Sequence, residues 1–274
     1  METHRLYEEL LKREARVLVG CGGTGSAAPP TTTNRQLRQF RVVFPEGFTR
    51  AQMVARVQVV AKIAEHESHR KVELSGNSYA AATAKPRTFP GFGGKKLPLE
   101  GFLFPDTYDF DRKSTSAELM GNQLAEFTSM WGQLNLSYAR SKNLTPYDVL
   151  TIASMVEGEA QVPSERPLVA AVIYNRLHGG IKLGIDATLR YGLHIPPTQS
   201  LTESELHNPT PYNTRLHLGL PPTPINNPGM ASLEAAAHPA HVDYLYFVRK
   251  PDHKHHYFTS NYQDFLRHEA EYGY

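Results

Sequence analysis

The order of hydrophobic and polar positions along the chain predicts a mixture of helices and short strands. Strand-like apolar runs occupy residues 38–44 and 244–248. Residues 2–16 are predicted to form a short charged helix, and further helices are predicted at residues 52–57, 116–142, 145–160, 164–178 and 230–237. Because these elements follow one another without a regular βαβ rhythm, we predict the α+β class, with a helical core and a small mixed sheet.

Two consecutive helices form the centre of this prediction. Thr145 caps the first helix, Pro146 suits its first turn, and Asp148 complements the positive end of its dipole. The second helix begins near Ser164, is apolar on nearly all sides, and ends at Gly179–Gly180. A helix that is apolar all round is typical of a protein interior, so we place this pair of helices at the core.

Stretches rich in glycine and proline separate these elements. Residues 20–35 have the composition of a linker, and residues 74–98 that of a long loop. The linker contains a G-x-G-x-x-G match, but Pro29 and Pro30 follow where a dinucleotide-binding turn requires a helix. We therefore interpret this segment as a linker and not as a phosphate-binding loop.

Composition excludes several classes of function. The 274 residues carry 29 Lys and Arg against 27 Asp and Glu, and a net charge of +2 gives no basic surface for nucleic acid. A single cysteine, Cys21, excludes an intramolecular disulfide and a cysteine-rich zinc site. His253, His255 and His256 lack the spacing of a helical metal motif, so no metal site is expected, and His256 is instead a candidate for lining a site.

Glu157 and Glu159 are the clearest candidates for acid–base chemistry. Their side chains leave the helix about 200° apart, so they flank one bond only if the helix unwinds at Gly158. Glu159 lies on the side of Ile152 and Met155, where burial would raise its pKa and let the protonated carboxyl act as a general acid. The pattern by itself also allows, and favours, a solvated glutamate at a helix end.

Polar residues downstream allow two interpretations. Asn175 lies near the end of the second central helix, and Asp186, Tyr212 and Asn213 lie in loops rich in proline and glycine. Amides and carboxylates recognise sugar hydroxyls, and a tyrosine ring can cover the apolar face of a sugar. The same residue types are also typical of turns, so both interpretations stay open.

An ordered series of motifs runs through about residues 40–265. Its longest members are Val42-Val43-Phe44-Pro45-Glu46-Gly47-Phe48-Thr49, Leu99-Glu100-Gly101-Phe102-Leu103-Phe104-Pro105-Asp106-Thr107-Tyr108 and Leu150-Thr151-Ile152-Ala153-Ser154-Met155-Val156-Glu157-Gly158-Glu159. Shorter ones are Tyr174-Asn175-Arg176-Leu177, Asp186-Ala187-Thr188, Pro211-Tyr212-Asn213-Thr214, Asn227-Pro228-Gly229 and His256. In this order the series resembles the MltG-like (YceG-like) family of endolytic murein transglycosylases.

The resemblance implies a bacterial enzyme that cuts the MurNAc–GlcNAc β-1,4 bonds of nascent glycan strands and leaves 1,6-anhydro-MurNAc ends. Glu159 matches the essential acid, the second glutamate of the family's E-x-E segment. No metal or other cofactor is implied. Expected substrate-binding residues are Glu157, Asn175, Asp186, Tyr212, Asn213 and His256. The implied partners are peptidoglycan strands and the cell-wall synthesis machinery, at the extracytoplasmic face of the inner membrane, with an anchor that this chain does not contain.

The resemblance also divides the chain into three parts. Residues 1–39 are a poorly matching segment and linker, 40–87 a small α/β module, and 88–274 a YceG-like catalytic domain. Family members usually carry a transmembrane helix and a LysM-like module at the N-terminus, so we expect the LysM-like part here to be reduced. Gly184 and Ile185 stand where the family tends to carry Gln and Ser, so a sugar contact from that Gln is not assumed.

Three alternatives remain open at this point. The first is a muramidase that hydrolyses the same bond with two carboxylates, Glu159 and Asp186. The second is a cell-wall-binding scaffold without catalytic activity. The third is an aminodeoxychorismate lyase, which requires a Schiff-base lysine and a phosphate cradle; only Lys182 lies in a suitable loop, and no such cradle is present.

Overall fold

The computed structural model describes residues 39–273. The helices are α1 Arg50–Ser68, α2 Gly76–Thr83, α3 Ser116–Trp131, α4 Ser137–Ser141, α5 Pro146–Glu159, α6 Arg166–His178, α7 Asp186–Leu193, α8 Glu203–Leu206, α9 Met230–Ala237 and α10 Tyr262–Tyr272. The strands are β1 Phe40–Val43, β2 Thr107–Phe110, β3 Tyr246–Arg249 and β4 His256–Thr259. This mixture confirms the α+β class. The helix predicted at 2–16 and the linker at 20–35 lie outside the described residues, and the LysM-like interpretation stays a prediction.

The two central helices form as their sequences predict. Thr145 caps α5 through a reciprocal capping box, in which its hydroxyl accepts from the Asp148 N–H while the Asp148 carboxylate accepts from the Thr145 N–H. A short 3₁₀ turn, Pro163–Glu165, precedes α6, so this helix begins at Arg166, two residues after the predicted start. Every residue of α5 from 149 to 156 is buried, and the apolar ones belong to the main hydrophobic core cluster.

Three predictions about the elements are wrong. Residues 74–98 contain a helix, α2, because the Ser75 hydroxyl accepts from the Ser78 N–H and caps a run rich in alanine. The helix predicted at 116–142 breaks into α3 and α4 at Gly132, whose N–H closes the last turn of α3. The strands form two separate antiparallel pairs instead of one mixed sheet, since each has only four residues and neighbouring helices pack against both pairs.

The core does not follow the predicted boundary between residues 87 and 88. β1 pairs with β2, so that Phe40 lies opposite Phe110, and one cluster of buried hydrophobic residues includes both sides of the boundary. In this cluster the rings of Phe102 and Phe89 stack with their centroids 3.7 Å apart. Residues 40–87 and 88–273 therefore share a core. Within the described residues, none of the helices combines the length and the apolar character that a membrane crossing requires.

The side chain of Asn227 joins its own segment to two distant ones. Its side-chain oxygen accepts from the N–H groups of Gly101 and Leu103, both at 2.9 Å. Its side-chain nitrogen donates to the Phe48 carbonyl and to the Glu100 carboxylate, both at 2.9 Å. Asn227 is fully buried, and an amide with all these bonds is costly to displace, so the segment 224–229 lies in one defined position.

Candidate active site

The last turn of α5 and the first turn of α7 meet at Glu159. Its Oε1 accepts a long hydrogen bond, 3.4 Å, from the N–H of Ala187, the second residue of α7. The free N–H groups at a helix start favour a carboxylate there. Gly158 allows this approach, because a Cβ at that position would lie 3.1 Å from the Cβ of Ala187. The helix continues through Glu159, so Gly158 does not unwind it. The glycine instead permits close packing against Ala187.

Burial raises the pKa of Glu159 above its usual range, and the nearby Asp186 carboxylate raises it further. Arg249, the Ala187 N–H and Arg190 act in the opposite direction. A carboxyl whose pKa is raised keeps its proton to a higher pH, and the protonated form can donate that proton to a leaving oxygen. The location agrees with the side of the helix that the sequence pattern indicated for this residue.

Asp186 is the first residue of α7 and not part of a loop, as the sequence had suggested. Its Oδ1 accepts from Nε of Arg215 at 3.0 Å and from Nη2 of the same residue at 2.6 Å. Both side chains are 43% exposed, so this ion pair lies at the surface beside Glu159. The structure therefore brings together the two carboxylates that the muramidase alternative requires.

Three arginines near Glu159 were missed by the sequence analysis. Arg190 lies in the second turn of α7, Arg215 binds Asp186, and Arg249 ends β3 opposite His256. No local pattern distinguishes them from other surface arginines, because the chain brings positions 190, 215 and 249 together only after folding. Their charges balance the acidic pair.

Gly184 and Ile185, the two departures from the family pattern, shape the entry to α7. Gly184 has a φ of +63°, which favours glycine, and its N–H donates to the Thr214 carbonyl at 2.9 Å. Ile185 is 3% exposed, and its N–H donates to the Thr214 hydroxyl at 2.9 Å. These residues fix α7 against the loop that carries Arg215 and offer no polar side chain to a sugar.

Glu157 points away from Glu159, as the helical spacing predicted. Its carboxylate lies 3.6 Å from Nη2 of Arg166 and accepts from the Gly229 N–H at 3.2 Å. Only 8% of its side chain is exposed. Burial, together with the charge of Glu157, raises the pKa of the neighbouring Glu46. Glu157 thus binds the protein's own segments through Arg166 and Gly229, and its contact with a sugar stays a prediction.

His256 is buried, with 4% exposure, and its Nδ1 lies 2.8 Å from the Glu165 carboxylate. The Glu165 carboxylate also accepts from the His256 N–H at 3.0 Å. Burial lowers the pKa of His256 while Glu165 opposes this shift, so a neutral ring with its proton on Nδ1 satisfies both groups. His256 does not line an open surface. Its bonds with Glu165 attach β4 to the start of α6. Because Arg249 lies opposite His256 in the strand pair, they also fix the position of Arg249.

Asn175 and Asn213 use their amides inside the protein. The Asn175 side-chain nitrogen donates to the carbonyls of Val242 and Tyr244, each at 2.9 Å. Asn213 is 0% exposed, and its nitrogen donates to the carbonyls of Leu206 and Asn208. Burial leaves the Asn213 amide little room to meet a glycan, and its sugar contact stays a prediction. Both amides are better explained as loop anchors.

Tyr212 is half-buried. Its hydroxyl lies 2.9 Å from the Thr223 hydroxyl, and its ring packs edge-on against Tyr191 at 5.1 Å. Of the expected site residues, the contacts therefore place Asp186 next to Glu159 and leave Tyr212 partly exposed on the adjoining loop. In the described part of the chain, no group of three or more His, Cys, Asp and Glu is arranged to hold a metal ion.

Comparisons with protein-family models, curated proteins and solved structures each found similar proteins. The model of the YceG-like family matches residues 27–271. An endolytic murein transglycosylase of Bacillus subtilis is 39% identical over 155 residues, which are 57% of this chain and 43% of that protein. One of Streptococcus pneumoniae is 29% identical over 99% of this chain and 48% of its own length.

A crystal structure of a yceG-like protein from Listeria monocytogenes superposes with a TM-score of 0.65 at 26% identity. The superposition covers 83% of this chain and 75% of the Listeria chain. The chain spans less than half the length of the curated relatives it matches.

Proposed function

The chain belongs to the YceG-like family, and on this premise we propose that it is an endolytic lytic transglycosylase of peptidoglycan. The substrate would be the MurNAc–GlcNAc β-1,4 bond of nascent glycan strands. The observation that carries the proposal is the partly desolvated carboxyl of Glu159 at the start of α7, whose raised pKa suits a general acid. Curated relatives named endolytic murein transglycosylase support the reaction class.

In the proposed reaction Glu159 first donates its proton to the glycosidic oxygen, which leaves as the 4-hydroxyl of GlcNAc. The resulting carboxylate then takes the proton of the MurNAc 6-hydroxyl, whose oxygen attacks C1 and closes the 1,6-anhydro ring. Glu159 ends in its starting state, and no water is added. One carboxyl is sufficient because the nucleophile belongs to the substrate, whereas most glycoside hydrolases require two.

Hydrolysis by Glu159 and Asp186 is the second candidate, since the two residues are neighbours in the site. The ion pair of Asp186 with Arg215 argues against it. A carboxylate that already accepts two hydrogen bonds from one guanidinium is a weaker nucleophile and base. We assign Asp186 to raising the pKa of Glu159 and to favouring the positive charge that develops at C1.

We propose that Tyr212 and Asp186 contact the glycan, whereas Glu157, Asn175, Asn213 and His256 shape the site from beneath. Polymerised glycan lies outside the inner membrane, so the proposed place of action is the extracytoplasmic side. Glycan strands are the proposed partner, together with the machinery that synthesises them. Neither the proposed reaction nor the proposed binding requires nucleic acid or a cofactor.

The test is to incubate the purified protein with uncrosslinked glycan strands and determine the mass of the new ends. Anhydro ends, which lack one water relative to reducing ends, support the proposal. Reducing ends support the two-carboxylate muramidase. Binding without any cleavage, unchanged in Glu159→Gln, supports a scaffold.

A further inference from the structure

Glu100 is a buried carboxylate that the proposed reaction does not use. It is 7% exposed and accepts hydrogen bonds from three distant parts of the chain: the Arg50 N–H at 2.8 Å, the Asn227 side-chain nitrogen at 2.9 Å and the Tyr191 hydroxyl at 3.0 Å. Burying a carboxylate is costly unless it is hydrogen-bonded in this way. Such a group needs an explanation, because an apolar residue would fill the same space at lower cost.

The bond to Tyr191 connects Glu100 to the helix of the candidate site. Tyr191 lies in the second turn of α7, and Ala187, in the first turn of the same helix, donates to Glu159. A helix of eight residues moves as one body, so the position of Tyr191 determines where the Ala187 N–H points. At 3.4 Å the bond to Glu159 is already long, and a small shift of α7 would break it.

Other contacts also hold α7, since Thr188 and Leu189 are fully buried and Arg190 donates to the carbonyls of Pro196 and Gln199. The Tyr191 ring packs on Tyr212, and Gly192 lies against the same residue, since a Cβ at Gly192 would lie 2.6 Å from the Tyr212 Cβ. The Tyr212 loop is itself half-exposed. Glu100 is also bound to Asn227, which is fully buried and bonds in addition to the Gly101 N–H and the Phe48 carbonyl. Glu100 therefore links the Tyr191 hydroxyl, in the second turn of α7, to this buried part of the core.

From this arrangement we propose that Glu100 is a positioning residue, which through its hydrogen bond with Tyr191 holds the first turn of α7 against Glu159. The role in turnover rests on the proposed function, but the role in positioning Glu159 does not. Titratable or charged groups near Glu100 are Arg50, Tyr79, Tyr147 and Tyr191. Those acting on Glu159 are Asp186, Arg190 and Arg249.

Tyr191→Phe tests the connection, because it removes only the hydroxyl. Tyr147→Phe is the matched control: the buried Tyr147 hydroxyl also lies near Glu100 but has no hydrogen-bond partner among the described residues. The readout is the titration of the Glu159 carboxyl, followed by NMR in protein labelled with ¹³C-glutamate and assigned with Glu159→Gln. This measurement does not depend on any catalytic activity.

Tyr191→Phe should raise the pKa of Glu159 by about 0.5 pH unit or more, because the donor at Ala187 that favours the ionised form moves away. Tyr147→Phe should leave it unchanged. In Glu100→Gln the new NH₂ group faces either the Tyr191 hydroxyl or the N–H groups of Arg50 and Asn227, all of which donate to the carboxylate. Because a donor then faces a donor, this variant should also raise the pKa of Glu159. The double variant should shift it no further than the larger single change.

A titration of Glu159 that is the same in wild type and in Tyr191→Phe overturns the proposal, as does the same shift in both tyrosine variants. On glycan strands, Tyr191→Phe should lower kcat while KM stays within about twofold, since the donor and not the binding surface is displaced. If the wild-type protein cleaves no glycan, the proposed function fails, and the titration still decides the role of Glu100.

Discussion

Glu157 and Glu159 leave the same helix end toward different parts of the protein. Glu157 lies 3.6 Å from Arg166 and accepts from Gly229, whereas Glu159 accepts from Ala187 at the start of α7. Two carboxylates of the same type, two positions apart, thus have different environments. They form a matched pair for separating catalysis from stability.

Glu159→Gln should lower the rate of glycan cleavage by about 10²–10⁴-fold, because it removes the proton donor. Its melting temperature should not fall, since the amide replaces a carboxyl that is costly to ionise where it lies. Glu157→Gln should instead reduce the free energy of unfolding by about 1–3 kcal/mol, through the loss of its charge beside Arg166. Cleavage assays below the melting temperature and thermal melts check both; an active Glu159→Gln would contradict the assignment.

The dependence of cleavage on pH should follow the ionisation of Glu159. Because its pKa is raised and the protonated form is the active one, the rate should be highest below that pKa and fall as the pH rises through it. Arg215→Gln should move this alkaline limb to higher pH, since the charge of Asp186 then acts on Glu159 without its counter-ion. The pH profile of kcat is the measurement.

Arg267→Gln is the control for Arg215→Gln. Arg267 binds Asp264 at 2.6 Å, the same separation as in the pair of Arg215 with Asp186, but on α10. Its loss should leave the pH profile unchanged. Equal profiles in both arginine variants would show that Asp186 and Arg215 do not act on Glu159.

The stability of the protein should depend on the ionisation of Glu100. Burial raises the pKa of this group from 4.5 to about 7, so the folded state binds its proton more tightly than the unfolded chain. Its contribution to stability is complete below about pH 4.5 and is lost as the pH rises through 7, with a slope of up to about 1.4 kcal/mol per pH unit. The difference in unfolding free energy between wild type and Glu100→Gln, measured by denaturant titration from pH 4 to 8, should show this slope. A constant difference would exclude it.

Asn213→Ala should destabilise the fold. The change removes a fully buried amide and leaves the half-buried carbonyls of Leu206 and Asn208 without their donor, at a cost of about 1–3 kcal/mol. Asn77, which is exposed on α2, provides the control, because Asn77→Ala should not lower the melting temperature. Reduced turnover of glycan with an unchanged melting temperature in Asn213→Ala would restore the binding interpretation.

Much of the local structure is determined by the sequence itself. The capping box of Thr145 and Asp148 depends on residues three positions apart, so the start of α5 could be predicted without any tertiary contact. The same holds for the opposite directions of Glu157 and Glu159, which follow from the rotation per residue in a helix. Residues 230–237 form a helix with the predicted bounds, because Ala, Leu, Met and Glu all favour helix.

Only the tertiary structure decided which residues meet. Asp186 reaches Arg215 across 29 positions, and Glu100 reaches Tyr191 across 91 and Asn227 across 127. It also decided that Asn213 is buried, although its loop has the composition of an exposed one. These outcomes depend on how distant segments pack around α5. Hydrophobic periodicity describes which face of an element is buried, but not which polar groups the chain brings to that face.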